Sequence, residues 1–486
     1  MNRETQTSRM RRGGALLIAA LACGLAAVPA AGNHLQIANT AILQATVQFD
    51  IAWENSWRHD GEAEDDGYFH DAVWVFFKVR VVGEEAWRHV RLAASGTTPT
   101  GFDTGSAGGL IELRVPEDRM GVFVRRSAAG AGSGAVASTA VQVRWDPAAS
   151  GIAMGQTVDM RTFGVEMVHV ADGPFWVGDG ITGFTRTLIH TNDATVAPVS
   201  VENEWQGGYP RGQTVPDSPA WPNGHDAFYC MKYLVTQGQY TDFLNSLTPL
   251  QASLRAYTGG DSRNTISVAG GVYAAAAPDR ACNYLSWTDH AAFAAWAALR
   301  PMSELEFEKA CRGPLYPVPG EYAWGTDTIA TNILQLSGVE DGSETVTNDV
   351  SDGAAIAFFT RSFSTLAMRV GLFATNGADR ISAGASYWGI MELSGHLCER
   401  AVAISYVDGR AFRGTHGDGE LHPTDATALN EDWSTTGQVN RGLGWHSTHG
   451  SSTYLRVSNR NTEAKGWARQ PTTGARAVRT APVDFP

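Results

Sequence analysis

From residue 35 to about residue 150, apolar and polar side chains alternate in short runs. Leu43 to Trp53, Ala72 to Val81, Trp87 to Leu92, Gly109 to Val115 and Thr139 to Trp145 all follow a period of two. That is the period of a strand with one buried face. Gly- and Asp-rich turns separate the runs, and none of them has helical periodicity. The pattern predicts an N-terminal all-β sandwich over residues 33–150. The Ala/Gly/Ser run Ser127–Ser138 has the composition of a linker, but a strand follows it, so it is read as a long loop inside this domain. The domain boundary is placed in Pro147–Gln156.

Residues 157–483 mix short strands, long Gly-rich loops and helical patterns. Val235 to Leu244 reads as a helix start with Thr236 as N-cap. Ser286 to Ala297 is a second helix. Ser303 to Cys311 is a third, with Ser303 capping and Glu306 three residues on, the spacing of a capping box.

The first residues change the picture from fold to location. Arg9, Arg11 and Arg12 precede an apolar run, Ala15 to Val28, that ends in Pro29, Ala30, Ala31 and Gly32. This order is that of a cleavable signal peptide over residues 1–31, and it predicts a secreted, periplasmic or cell-surface protein. A lipoprotein alternative rests on Cys23, but the stronger cleavage signal lies downstream. The run is shorter than the roughly 20 residues a membrane span needs, and no later stretch qualifies, so no membrane span is expected.

The 486 residues are too many for one core, and at 43% hydrophobic they can build more than one. With 50 acidic against 37 basic residues and no basic block, nucleic acid is not an expected partner. Beyond the leader stand Cys230, Cys282, Cys311 and Cys398, none at CxxC spacing. Zinc-ribbon and thioredoxin readings therefore fail. Three disulfide pairings remain open beside buried free thiols. Trp53 to His59 and the acidic loop Asp60–Asp66 have two readings, a sugar or peptide platform or a buried pair of tryptophans beside a solvated loop.

Seven segments, in order, carry a resemblance. Met167 to Gly178, Phe228 to Tyr240 and the Ser286-Trp287 helix are the first three. Arg300-Pro-Met-Ser-Glu304-Leu-Glu306-Phe-Glu308 is similar to an Arg-Leu-Pro-Thr-Glu-Ala-Glu-Trp-Glu run. Cys311-Arg312-Gly313 with Trp324-Gly325 follows. Tyr387 to Glu399 is similar to a Gly-Leu-Tyr-Asp-Met-Ser-Gly-Asn-Val-Trp-Glu block, and Arg413-Gly414 with Gly474 to Arg479 completes the set. Together they resemble the formylglycine-generating enzyme (sulfatase-modifying factor) family. The resemblance implies an α+β, C-type-lectin-like domain that tolerates insertions, here 248–275, 335–368 and 415–450. The scaffold also occurs in non-heme iron enzymes and in receptor-like binding proteins, so fold alone does not set function.

In that family a cysteine pair just before an arginine binds copper(I), an ion suited to soft thiolates. If Arg460 is that arginine, the cysteine positions hold Ser452 and Val457. No copper and no formylglycine-generating oxidase chemistry are expected, and no catalytic residue is assigned. A metal-dependent oxidoreductase is the alternative. It would draw on His290, His396, His416, His422, His446 and His449, which are scattered without a helical His-x-x-x-His.

The resemblance also implies structural calcium. One site would take the side chain of Glu392, the carbonyls of Gly395 and Leu397, and Glu399, although His396 and Cys398 replace the family's Asn and Trp. A second would begin at Asn332 and Ile333, with Asp352 as the acidic partner. The expectation is an exported, non-catalytic binding or structural protein. Its partner would be an extracellular ligand met by the insertions and by His446 to Asn461, or copies of itself in a fibre or coat.

Overall fold

The computed structural model describes residues 35–59, 69–128, 134–183, 185–198, 207–330, 335–338, 344–347, 353, 367–374, 378–442, 452–460 and 468–482. The leader, the acidic loop Asp60–Asp66, Asn332, Ile333, Asp352, His446 and His449 lie outside the described residues.

The N-terminal run forms β1 (Gln36–Leu43), β2 (Thr46–Ser56), β3 (Asp71–Val81), β4 (Arg88–His89), β5 (Gly96–Thr97), β6 (Ile111–Val115), β7 (Val122–Arg126) and β8 (Gly134–Arg144). Strand β8 opens inside the Ala/Gly/Ser run, earlier than the alternation alone indicated. A bridge-like three-stranded sheet, β1-β2-β8, covers one face of a longer sheet. Between these layers lies a core of Phe49, Ile51 and Trp53 from β2, Val73, Val75 and Phe77 from β3, and Val141 and Val143 from β8.

The longer sheet does not stop at the expected boundary. Strand β9 (Val158–Val170) pairs antiparallel with β3 from Asp71↔Val168 to Val81↔Val158. After the hairpin β10–β11 (Phe175–Val177, Thr187–Ile189), β12 (Phe228–Met231) joins β9 on its other side. Pro147–Gln156 is thus the turn between β8 and β9, and the two sequence segments share one sheet.

Helices pack on the face opposite the first core. They are α1 (Gln237–Leu244), α2 (Pro249–Arg255), α3 (Trp287–Trp296) and α4 (Glu304–Arg312). All four carry capping boxes, from Thr236 with Gln239, Thr248 with Gln251, Ser286 with Asp289, and Ser303 with Glu306. Trp74 and Phe76 of β3, Phe123 of β7 and Phe163 of β9 pack there with Phe243, Phe293 and Trp296. Trp74 also donates its indole N–H to the Ala297 carbonyl at 2.9 Å, tying the N-terminal strands to the helical layer.

The hairpin β13–β14 (Ile266–Ala269, Val272–Ala275) and helix α2 occupy the first insertion. Strand β15 (Arg300–Pro301) sits at the sheet's end, and the short pair β16–β17 (Leu336–Ser337, Thr345–Val346) lies in the second insertion. Strands β18 (Glu399–Val402) and β19 (Gln438–Arg441) pair separately, and β20 (Ala477–Thr480) returns between β15 and β12. Among the described residues no helix is long and apolar enough to cross a membrane.

Candidate functional site

Two charged centres stand out, one at the proposed calcium turn and one at helix α4, which the sequence reading did not single out. The first is the turn leading into β18. Glu392, Gly395 and His396 all take positive φ, at 65°, 104° and 65°. This folds the chain back tightly enough to place Glu392 and Glu399 near one another. Glu392 accepts a hydrogen bond from the Gly371 N–H at 2.6 Å through Oε1, and its Oε2 has no hydrogen-bond partner. His396 accepts the Met368 N–H on Nε2 at 3.0 Å, which leaves the ring proton on Nδ1, 3.5 Å from Glu392 Oε2.

Glu399 accepts from Arg476 Nε at 2.9 Å through Oε1, while its Oε2 is also unpartnered. Arg476 spends its other donors on the Met231 and Met391 carbonyls, both at 2.7 Å. Burial pushes the Glu399 carboxyl up to about 7; Arg476 opposes the rise and Glu392 adds to it. Gly395 donates to the Gly442 carbonyl at 2.8 Å. The Leu397 side chain is buried with Tyr233, Leu234 and Met391. The turn therefore offers two orphaned carboxylate oxygens, a donor set that fits a hard cation. Arg476 already satisfies one oxygen of the pair.

The second centre is helix α4, whose acids lie in the interior. Arg300 holds Glu306 in a bidentate pair at 2.9 and 2.6 Å. Glu308 is ringed by Arg312, Arg441 and Arg460, and also accepts from the Gly178 N–H at 2.8 Å and Ser458 Oγ at 3.1 Å. Burial alone would raise this carboxyl, but the three guanidiniums and the amide outweigh it and hold it at about 2. Arg460 bridges on to Glu304 as well.

The arginine that the resemblance singles out is thus committed to a buried ion network. Val457, three residues before it, is buried with Phe307, Cys311 and Ile390. All four cysteines are free and buried, so none of the three pairings forms. Burial raises the thiols of Cys230, Cys282 and Cys311, which disfavours the thiolate.

Among the described residues the candidate histidines do not converge on a metal site. His290 is buried in α3 with both ring nitrogens unpartnered, and His416 accepts the Thr480 N–H. His422 pairs with Asp425 at 3.0 Å. Among the described residues no three His, Cys, Asp or Glu side chains come together to hold a metal.

Of the tryptophan pair, Trp53 is buried and donates to Asp71 at 2.9 Å, whereas Trp57 is half-buried and faces a cavity. Sequence reasoning missed the charged group beside it: Lys232 and Asp71, both buried, with the half-buried Glu166. One signal was present in the sequence. Glu166 stands in β9 directly between Val165 and Met167, a lone charge in the apolar stretch from Phe163 to Val168.

The model of the Sulfatase-modifying factor enzyme 1-like domain matches residues 159–481. No curated relative matches the chain. Among solved structures, the Major Tropism Determinant I1 Variant aligns at 13% identity over 80% of this chain and 86% of that one, with a TM-score of 0.26. The U1 Variant aligns at 14% identity over 80% and 83%, with a TM-score of 0.22. Likenesses this loose carry no argument. The family match spans more than half the chain, and the protein belongs to the sulfatase-modifying-factor family.

Proposed function

We propose that this chain is an exported, non-catalytic binding or structural member of its family, with a β-sandwich built onto a lectin-like domain. The observation that carries the reading is Val457, an aliphatic side chain packed in an apolar cluster at a position where the resemblance calls for a copper-binding thiolate. A hydrocarbon there cannot bind copper(I) or pass electrons to oxygen. The four thiols elsewhere are buried, and burial holds those of Cys230, Cys282 and Cys311 protonated, so they offer no ready substitute pair.

Calcium belongs to the same reading. Glu392 and Glu399, with the carbonyls of Gly395 and Leu397, would hold it, and the charge it supplies would neutralise two buried carboxylates. Its role would be structural, fastening the turn before β18.

The test is turnover of a cysteine-containing sulfatase peptide by the purified protein, with copper(I) and oxygen supplied. No formylglycine is expected, and its appearance would overturn the reading. Electron microscopy of the same sample then separates a soluble binder from an assembling subunit.

A further inference from the structure

A cavity of about 490 Å³ opens where the N-terminal strands meet the family domain. Trp57, Phe69, Tyr387 and Trp388 line it, with the Phe69 ring packed on those of Tyr387 and Trp388 at 6.0 and 5.5 Å, and the buried Lys232 lines it as well. We propose that this cavity is a carbohydrate site that takes a neutral pyranose, stacked on the aromatic wall with its oxygens on Lys232 and Asp379. The proposal names a ligand class for the binding function argued above and rests on that reading.

The ammonium is the first argument. Lys232 is 4% exposed, and among the described residues its ammonium donates no hydrogen bond and forms no ion pair. It sits over the Trp57 ring at 4.3 Å, and the Trp57 backbone N–H donates to Asp71 Oδ1 at 2.9 Å. A nearly buried ammonium with three idle donors needs oxygen acceptors, and the cavity is where they can arrive.

Charge decides which oxygens. Asp71 and Glu166 face Lys232 and favour its charged form against burial. At the rim, the Asp379 carboxylate is exposed, whereas Arg380 donates to the Ala323 and Cys311 carbonyls at 2.8 and 3.3 Å. Carboxylates outnumber the one ammonium here, so an anion gains no net attraction, while hydroxyls can both accept from Lys232 and donate to Asp379.

The walls decide the shape. Trp57, Phe69 and Tyr387 are each half-buried, so part of each ring is left uncovered. Aromatic faces are electron-rich and attract the weakly positive C–H groups on one face of a pyranose. A peptide is less well served. The nearby backbone is already paired, with the His59 N–H on Phe69 O at 2.9 Å and the Asp71 N–H on Trp57 O at 3.2 Å. An extended peptide would find no strand edge there to join. The volume lies within the usual range for small-ligand pockets, about 300–1,000 Å³.

The experiment uses the full chain on an array of neutral and acidic glycans, with a short peptide ending in Phe as a further probe. The proposal expects binding to at least one neutral glycan, confirmed by quenching of tryptophan fluorescence in titration with that sugar. Trp57→Ala and Lys232→Met should each weaken it at least tenfold. Because Lys232 is buried, Tyr387→Ala at the half-exposed rim gives an independent variant, also expected to lose at least tenfold while melting like the parent. A blank on every neutral glycan, binding confined to acidic glycans or to the peptide, or binding that survives Trp57→Ala and Tyr387→Ala would each overturn it. A blank array together with no formylglycine turnover would remove the sugar site and leave the non-catalytic reading standing.

Discussion

Replacing Glu308 with glutamine removes one negative charge from the centre of the arginine cluster while keeping the side chain's size. The carboxylate is fully buried, and Arg312 and Arg441 around it are each 1% exposed. Holding a carboxyl at about 2 instead of its ordinary 4.5 corresponds to roughly 3 kcal/mol of folded-state stability. Breaking one partner of a buried pair independently suggests about 3–5 kcal/mol, because the cations left behind stay desolvated. The two routes agree on a loss of about 3 kcal/mol for Glu308→Gln near neutral pH. The pH dependence has a definite sign. The native carboxyl is depressed, so its contribution is complete above the ordinary value of 4.5 and is lost as pH falls from there toward 2. Urea unfolding followed by tryptophan fluorescence, at several pH values for parent and variant, measures both effects. The stability gap should be widest at pH 6 and shrink steadily below pH 4.5. A gap under about 1 kcal/mol at pH 6, or one that does not change between pH 6 and pH 3, would refute this account of the cluster.

Calcium at 100 times its dissociation constant should stabilise the parent by about 2.7 kcal/mol. Glu392→Gln and Glu399→Gln should each remove that rise in melting temperature, and an equal rise in both variants would sink the site. Cys230, Cys282, Cys311 and Cys398 are buried and free, so a thiol reagent should find none of them in the native protein and all of them in denaturant. Fewer reactive thiols after unfolding without reductant would reveal a disulfide. A Cβ at Gly121 would stand 2.7 Å from both the Trp74 ring and the Val75 carbonyl, so Gly121→Ala should cost about 1–3 kcal/mol; an unchanged unfolding midpoint would contradict the packing. Residues 33–156 expressed alone should aggregate, because β3 would lose the whole of β9 and expose Trp74 and Phe76; a monomeric, folded fragment would show that the first layer stands by itself.

What could be read from the sequence was local. The caps at Thr236 and Ser303 were visible because a cap and its partner lie within four residues and owe nothing to distant chain; the box at Ser286 with Asp289 has the same spacing and was not read. Glu392 and Glu399 were named through the resemblance, which sets both in one short block of sequence. The cavity was invisible because it joins Trp57 and Phe69 to Tyr387 and Trp388, which only tertiary folding brings together. Disulfide pairing was undecided for the same reason, since it depends on where four distant side chains point.

The domain boundary failed for a subtler reason, and its trace was in the sequence all along. From Ala72 to Val79 apolar residues fill both registers of the strand: Ala72, Trp74 and Phe76 on one side, and Val73, Val75, Phe77 and Val79 on the other. A strand of that kind is buried on both faces, and a two-layer sandwich covers only one. Val73, Val75 and Phe77 do meet the first core, but Trp74 and Phe76 require a second layer, and α1 and α3 of the family domain provide it. The interruption at Lys78 fits the same logic, because its buried ammonium donates to the Gly419 carbonyl at 2.8 Å, far along the chain. The N-terminal strands are therefore an extension of the family domain's own sheet. That continuity brings Trp57 and Phe69 of the N-terminal segment into one cavity lining with Tyr387 and Trp388 of the family domain.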